Sequence, residues 1–182
     1  MADNAIDSGE LDRRHTLRPW TNFGATDQRS FVVTHGKGTR VWDDRGRSYL
    51  DAVGGLWCTN IGLGNEEMAD VMAEQARTLA YSSTFVDMTN GPAAQLSAKL
   101  AEIAPTGLNQ VHYTTGGSEA IDSAFRLVGF AQASMGRPEK IHMIARKHSY
   151  HGATYAAASL GMRDGDRAPE FTFESQRIHH IS

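Results

Sequence analysis

The sequence has little cysteine, no long apolar run and no cluster of basic residues, and each shortage excludes a class of protein. Cys58 is the only cysteine among 182 residues, so an intramolecular disulfide cannot form and an oxidising compartment is not needed. No stretch approaches the roughly 18 consecutive apolar residues that a membrane-spanning helix requires. The first residues also lack the apolar core of a secretory signal. We therefore expect a cytoplasmic protein without a membrane partner.

The charge balance argues against nucleic acid as the main partner. Lysine and arginine number 18 against 21 aspartates and glutamates, which gives a formal charge of -3. Binding to a phosphate backbone needs clustered positive charge. Apolar residues make up 40% and charged residues 21%, which is close to the average for soluble globular proteins.

The first third of the chain predicts an arm followed by an antiparallel meander. Residues 1–28 show no sustained hydrophobic period and are expected to be extended. Three runs of β-branched and aromatic residues follow, separated by glycine-containing turns. They are Phe31-Val32-Val33-Thr34, Arg40-Val41-Trp42 and Tyr49-Leu50.

Two helices with apolar stripes are predicted next, and both are expected to pack on a core. Asn65 is a suitable N-cap for the first helix, and apolar side chains recur along it at three- and four-residue intervals as far as Leu79. The second helix begins at Pro92, a residue favoured in the first helical position, and ends before Pro105.

The remainder of the chain alternates between strands and helices, which predicts an α/β fold with a parallel sheet. Residues 110–114 and 140–145 are predicted strands on either side of a long helix over residues 118–135. A right-handed crossover is the expected geometry of this βαβ unit. A short helix at 154–160 and a strand at 177–181 continue the pattern.

A glycine-rich turn precedes the long helix and is a candidate phosphate site. In Thr114-Thr115-Gly116-Gly117-Ser118-Glu119-Ala120, two glycines permit close backbone approach, the helix N-terminus offers unpaired amides, and Ser118 adds a hydroxyl donor. An ordinary turn with Ser118 as N-cap explains the same residues. The turn matches neither of the common nucleotide-binding loops.

A second candidate, His148-Ser149-Tyr150-His151-Gly152, follows the next strand at the edge where α/β folds place ligands. Tyr150 has either of two roles: it stacks on a flat heterocycle, or it packs within its own loop. The histidines also suggest a metal, but no H-E-x-x-H motif or cysteine pair supports one, and no metal site is predicted.

Three further candidate residues lie outside these loops. Trp57 and Phe85 each either line a pocket or belong to the core. Cys58 has no catalytic context and is expected to be a small buried side chain.

Together these motifs resemble one family along nearly the whole chain, the class III pyridoxal-phosphate aminotransferases, in the omega-amino acid or amine:pyruvate branch. The resemblance rests on the order and spacing of five motifs. They are Thr34-His35-Gly36, Val41-Trp42-Asp43, Asp51-x-x-x-Gly55-Leu56-Trp57, Thr115-Gly116-Gly117-Ser118-Glu119-Ala120 and Tyr150-His151-Gly152.

The resemblance implies a fold-type I transferase with an incomplete, mostly parallel sheet flanked by helices and a small N-terminal meander. Residues 1–55 would contribute to the small domain, and residues 56–182 would form the first part of the large cofactor-binding domain. The implied partners are small amines and keto acids and a second copy of the chain, in a homodimer or a higher homo-oligomer.

The resemblance also assigns roles to residues. It implies that Gly117 and Ser118 bind the phosphate of pyridoxal 5'-phosphate with Gly116 beside them. Tyr150 would stack on the pyridine ring, and His151 and Gly152 would complete that loop. Trp57 would line the substrate pocket, and Phe85 would reach into the neighbouring subunit's site.

The sequence departs from the family in two respects. The usual Asn-Ser-Gly-Ser turn is replaced by Thr115-Gly116-Gly117-Ser118, which removes or replaces one side-chain contact near the phosphate. Members of the family are also more than twice as long. The aspartate that pairs with the pyridine nitrogen, the lysine that forms a Schiff base with the cofactor and the arginine that binds substrate carboxylates lie beyond the matched region.

None of the four lysines (Lys37, Lys99, Lys140 and Lys147) occupies the family's lysine motif. We therefore expect a fragment, a split gene product or part of a longer chain, inactive alone. Two other functions stay open at this point: a non-catalytic module that binds a phosphorylated ligand or a partner, and another pyridoxal-phosphate reaction on the same fold.

Overall fold

A computed structural model describes residues 7–20 and 30–182 and divides the chain after Met88 into two units, Met1–Met88 and Thr89–Ser182. None of the described helices combines the length and the apolar character needed to cross a membrane. The domain boundary predicted at residues 55/56 stays a prediction.

The first element, α1 (Ser8–His15), corrects the prediction of an extended arm. The Asp7 carboxylate accepts hydrogen bonds from the amides of Gly9 and Glu10 and so caps the helix. Basic residues in the last turn suit the negative end of the helix dipole. This helix depends on its cap and charges rather than on a regular apolar stripe, so its sequence shows no hydrophobic period. Residues 1–6 and 21–28 of the predicted arm lie outside the described residues.

The predicted meander is confirmed. Strands β1 (Val33–Lys37), β2 (Arg40–Asp43) and β3 (Ser48–Leu50) form one antiparallel sheet in chain order. In the register between β1 and β2, His35 is opposite Trp42, and their rings stack at a centroid distance of 4.7 Å. The resemblance motifs at residues 34–36 and 41–43 therefore lie side by side.

A buried aspartate fixes the turn between β2 and β3. The Asp43 carboxylate accepts hydrogen bonds from the Arg45 and Arg47 amides, each at 2.9 Å, from Arg47 Nε at 2.8 Å and from the Tyr49 hydroxyl at 2.9 Å. Burial would raise the pKa of Asp43, but the hydrogen bonds from Arg47 and Tyr49 outweigh it and hold that pKa below its usual value.

The next element, α2 (Gly54–Trp57), is a single left-handed turn. Its four residues have φ angles of 59°, 58°, 61° and 66°. Only glycine adopts this conformation without steric cost, so Leu56 and Trp57 are strained. The Asp51 carboxylate accepts a hydrogen bond of 2.7 Å from the Gly55 amide and holds the turn, which accounts for the spacing of the third resemblance motif.

Both predicted helices between the meander and the glycine-rich turn are confirmed, but their burial is not. In α3 (Glu66–Leu79) Asn65 caps the Met68 amide, and in α4 (Gly91–Ile103) Asn90 caps the Ala93 amide. Neither helix has a buried residue. The expectation that they pack on a core is wrong, because no described element of either helix's own unit covers its apolar stripe.

The second unit contains the parallel strands that the sequence predicts near its end. Its further elements are α5 (Gly117–Ser134), β4 (Met143–Arg146), α6 (Tyr155–Leu160) and β5 (Ile178–Ile181). β4 and β5 pair in parallel, with Met143 opposite Ile178, and α6 packs on both strands. The buried apolar side chains among the described residues are Ala145, Ala157 and Ile178, so this small core lies under α6.

The predicted strand at residues 110–114 is wrong. These residues form no ladder, because a strand requires a hydrogen-bonded neighbour and the described residues provide none for this segment. The Tyr113 hydroxyl instead contacts α4, at 2.9 Å from the Ser97 hydroxyl and 3.1 Å from the Ala93 carbonyl. The parallel partner of β4 is β5, so the predicted βαβ unit with residues 110–114 as its first strand is not present among the described residues.

Loss of the Asp43 charge is expected to lower the stability of the meander at neutral pH. It should also reduce the loss of stability that occurs in acid. The folded pKa of Asp43 is depressed, so its contribution to stability is complete above the unfolded value, about 3.9, and is lost as the pH falls below it. Urea unfolding followed by tryptophan fluorescence should show that Asp43→Asn is less stable than wild type at pH 7 and that the two proteins converge in acid.

Asp87→Asn, the same chemical change at an exposed aspartate of the same unit, is the control. It should unfold like wild type at both pH values. An Asp43→Asn protein as stable as wild type at pH 7 would show that the hydrogen bonds to Asp43 do not stabilise the turn.

Candidate functional site

The N-terminus of α5 is exposed, and the Glu119 carboxylate of its first turn lies 2.9 Å from where a Cβ of Gly116 would be. Gly116 is its N-cap and no side chain caps the helix, so the interpretation of Ser118 as N-cap is wrong. Gly117, the first helical residue, is exposed, and a Cβ added there would meet no atom within 4 Å. An uncapped helix N-terminus presents amide donors and partial positive charge. The residues predicted to bind phosphate therefore lie at an exposed helix N-terminus without a side-chain cap, and their binding of phosphate stays a prediction.

The loop that carries Tyr150 lies against this helix terminus. The Ala153 amide donates a hydrogen bond of 3.0 Å to Ser118 Oγ, and the Thr154 hydroxyl donates one of 3.4 Å to the Ser118 carbonyl. Ser118 Oγ thus accepts a bond from the loop and keeps its own hydroxyl hydrogen for another partner. Residues that are some 35 positions apart in sequence meet here.

Gly152 allows this contact because it has no side chain. Its φ is +139°, and an added Cβ would lie 2.5 Å from Ser118 Oγ, 2.8 Å from Ser118 Cα and 2.9 Å from Ala157 Cβ. Both the backbone angle and the available space therefore require glycine. The predicted residues Ser118 and Gly152 pack directly against each other.

A second set of hydrogen bonds holds α6 in place behind the loop. The Asp122 carboxylate on α5 accepts a bond of 2.9 Å from the Ala157 amide in the first turn of α6, which has no cap of its own. Ser159 is fully buried, donates to the Tyr155 carbonyl at 2.6 Å and accepts from the Glu174 amide at 2.8 Å. α6 thus fixes the end of the loop relative to α5.

Tyr150 is not packed within its loop. The residue is 56% exposed, and the Arg163 guanidinium carbon lies over its ring, 4.9 Å from the centroid. Arg163 forms a two-pronged ion pair with Asp166 at 2.9 and 3.0 Å. The hydrogen bond and charge of Asp166 raise the pKa of Arg163, which therefore stays cationic.

His151 is directed towards a cavity of about 240 Å³ between α5 and β4. The cavity is lined largely by apolar side chains, including Ile121, Phe125 and Met143. His142 directly precedes β4 and His179 lies on β5; His142 Nδ1 and His179 Nε2 are 2.9 Å apart. Across residues 7–20 and 30–182, no group of three or more metal-ligating side chains is present.

The remaining predicted residues belong to the first unit. Trp57 and Phe85 are each 76% exposed, so neither is a core side chain. Cys58 is also exposed, contrary to expectation, because it follows the left-handed turn on the surface of the unit. The assignment of Trp57 and Phe85 to a substrate pocket stays a prediction.

Sequence reasoning missed Asp122, Ala153 and Arg163. Asp122 follows Ser118 by four residues, so the two side chains lie on the same face of α5, and this spacing was a usable signal. The amide of Ala153 carries no side-chain signal. Arg163 and Asp166 have the spacing of a local ion pair, but nothing in the sequence connects that pair with Tyr150.

Gly152→Ala is expected to disrupt the site. The added methyl group would collide with Ser118 and Ala157 in a backbone region that disfavours it, which should destabilise the second unit by about 3 kcal/mol. Thermal or urea unfolding measures the change. Gly117→Ala is the control, since its methyl group meets open space and should shift stability by no more than about 1 kcal/mol. Equal stability of the two variants would contradict the described packing.

Comparison with known proteins identifies the family. The sequence model of the class-III aminotransferases matches residues 23–180. The chain is 38% identical over 152 residues to a putrescine–pyruvate aminotransferase from Pseudomonas aeruginosa, covering 83% of this chain and 33% of that protein. It is 36% identical over 154 residues to a diaminobutyrate–2-oxoglutarate transaminase from Halomonas elongata, with the same two coverages.

A solved structure of a transaminase is also similar to this chain. The omega transaminase from Pseudomonas jessenii, in complex with PMP, superposes with a TM-score of 0.91 at 31% identity, covering 96% of this chain and 38% of that one. The chain spans about a third of the length of the curated relatives it matches. The family match and the structural similarity confirm the predicted fold-type I architecture, and the chain belongs to the class-III aminotransferase family, whose cofactor is pyridoxal phosphate.

Proposed function

We propose that the intact protein transfers an amino group from a primary amine or omega-amino acid to pyruvate, with pyridoxal 5'-phosphate as cofactor. The observation that carries the proposal is the uncapped N-terminus of α5, with the Tyr150 loop docked against it by Ser118 and Gly152. Membership of the class-III aminotransferases supports the reaction type.

The residues present fit the phosphate of the cofactor. No atom lies within 4 Å of the position that a Cβ of Gly117 would occupy, so an anion can approach the helix amides closely. Gly116 and Gly117 would offer backbone donors, and the Ser118 hydroxyl retains a hydrogen to donate. The three residues would hold the phosphate by hydrogen bonds and by the helix dipole.

The Tyr150 loop would hold the flat part of the cofactor. The exposed ring of Tyr150 would stack on the pyridine, since aromatic rings prefer offset contact. Gly152 would keep the loop close to the helix terminus, and His151 would anchor it through the α5–β4 cavity. Trp57, which lies in the strained turn α2, would line the substrate pocket. Phe85 would reach the neighbouring subunit's site.

The cofactor supplies the electron sink that stabilises negative charge on the substrate carbon after its proton leaves. A lysine is needed to bind the cofactor covalently and to move that proton. None of the four lysines in this chain lies in the family's lysine motif. Residues 1–182 alone are therefore proposed to bind the phosphorylated ring without turnover.

The remaining details of the proposal come from the family resemblance. Pyruvate is named for the relative from Pseudomonas aeruginosa and 2-oxoglutarate for that from Halomonas elongata. We choose pyruvate because the Gly55-Leu56-Trp57 motif resembles the amine:pyruvate branch. A homodimer or higher homo-oligomer in the cytoplasm completes the proposal, and the single cysteine is consistent with a reducing compartment.

Gly117→Ala should separate phosphate binding from stability. Its methyl group would obstruct an anion at the helix amides, so the affinity for pyridoxamine phosphate should fall about tenfold or more. The stability of the chain should change by no more than about 1 kcal/mol. Isothermal titration calorimetry with pyridoxamine phosphate, and with pyridoxamine that lacks the phosphate, measures the effect.

Gly129→Ala is the matched control, because it makes the same change in the middle of α5 and also meets no atom within 4 Å. It should retain wild-type affinity. The phosphate assignment fails if Gly117→Ala and Gly129→Ala bind the ligand equally, or if wild type binds both ligands equally.

Borohydride reduction tests the proposed inactivity. With pyridoxal phosphate, the 182-residue chain should show no lysine reduced in stoichiometric yield by mass spectrometry, whereas a longer protein containing the family lysine should. Specific labelling of Lys37, Lys99, Lys140 or Lys147 would contradict the proposal. Transfer from a primary amine to pyruvate by the longer protein separates transamination from a non-catalytic role and from another reaction on the same fold.

A further inference from the structure

Arg163 is the one described residue whose charged side chain lies over the ring of Tyr150. Its guanidinium carbon is 4.9 Å from the ring centroid, within the range of a cation–π interaction. The two-pronged ion pair with Asp166 fixes the plane of the same guanidinium. The position of Arg163 above the ring is therefore held by more than one interaction.

The backbone that carries Arg163 is attached to the loop that carries Tyr150. The His148 amide donates to the Met162 carbonyl at 3.0 Å, and the Met162 amide donates to the Ser149 carbonyl at 3.0 Å. These bonds connect the residues directly before Tyr150 with the residue directly before Arg163. The backbone segments that carry the guanidinium and the ring are therefore hydrogen-bonded to each other.

The opposite end of the loop is attached to the phosphate-binding helix. The Ala153 amide bonds to Ser118 Oγ at 3.0 Å, so Tyr150 lies between two anchored points. An aromatic ring has two faces, and the guanidinium occupies one of them. Tyr150 is nevertheless 56% exposed, which leaves room for a flat ligand on the ring.

We propose that Arg163 is a positioning residue that holds the Tyr150 ring so that its opposite face receives the pyridine ring of the cofactor. This inference rests on the proposed function and adds a role that neither Tyr150 nor the α5 terminus provides. An oriented ring loses less conformational freedom on binding, so the benefit should be seen in affinity. Asp166 would contribute indirectly, because it holds the Arg163 guanidinium in place.

Binding of pyridoxamine phosphate to the 182-residue chain tests the proposal, because that compound forms no covalent bond with lysine. Arg163→Gln should weaken binding about two- to fivefold. Arg163→Lys should recover only part of the loss, since an ammonium group keeps the charge but not the planar stacking. The circular dichroism induced in the pyridine absorption band should also decrease in Arg163→Gln, because it reports the orientation of the bound ring.

Arg167→Gln is the matched control. Arg167 also lies over an aromatic ring, that of Phe173 at 3.9 Å, and donates to the Gly161 carbonyl at 2.8 Å, but it does not contact Tyr150. This variant should leave affinity and induced dichroism unchanged. Equal effects of the two glutamine substitutions would reduce Arg163 to a structural role and overturn the proposal.

The remaining outcomes are equally decisive. Tighter binding by Arg163→Gln would mean that the guanidinium occupies the ligand's own face of Tyr150, and the inference would be wrong. Wild-type binding that depends on Gly117 but not on Arg163 would overturn this inference and leave the proposed function intact. If wild type does not bind pyridoxamine phosphate, both proposals fail.

A measurement without ligand keeps the geometry testable even if a variant folds poorly. The NMR signals of the Arg163 guanidinium should be displaced by the ring current of Tyr150 and should return towards ordinary values in Tyr150→Leu. The Arg167 signals should stay unchanged in that variant. Arg163 signals that do not respond to Tyr150→Leu would contradict the stacked arrangement.

Discussion

The candidate site depends on the contact between Ser118 on α5 and the backbone of residues 152–154. The Ser118 hydroxyl accepts a hydrogen bond from the Ala153 amide, and the Ser118 carbonyl accepts one from the Thr154 hydroxyl. Gly152 has no side chain and so leaves the space that both bonds need. Without this contact the helix terminus would be a general anion site and Tyr150 an isolated loop aromatic. With it, the helix terminus proposed to bind phosphate and the ring proposed to stack are linked directly.

Side-chain carboxylates elsewhere in the molecule also accept hydrogen bonds from backbone amides and so hold neighbouring segments together. Asp122 caps α6 from α5, and Asp51 holds the strained turn α2 through the Gly55 amide. The first bond links two helices, and the second links the residue after β3 to the left-handed turn. Such links fix loops in positions that apolar packing alone would leave undetermined.

Much of the fold could be predicted because its signals are local. The glycine-containing turns predict the meander, and Asn65 and Pro92 mark the starts of α3 and α4. The strand expected at 110–114 was wrong because apolar alternation expresses only a tendency, whereas a ladder needs a neighbour. The helix α1 was missed for the opposite reason, since a cap and charges produce it without an apolar period.

The candidate site could likewise be predicted only where its signals are local in the sequence. The types of residue at 116–118 and 150–152 indicated a phosphate site and a stacking ring. The contacts made by Arg163 and Ala153 depend on the folded geometry, and no spacing in the sequence predicts them.

The most direct test of the central claim is an NMR titration of the isotopically labelled chain with pyridoxamine phosphate. The account predicts that the amide signals of Gly117, Ser118 and residues 150–153 shift together while Gly129 stays unchanged; shifts confined to other residues, or to only one of the two segments, would contradict it.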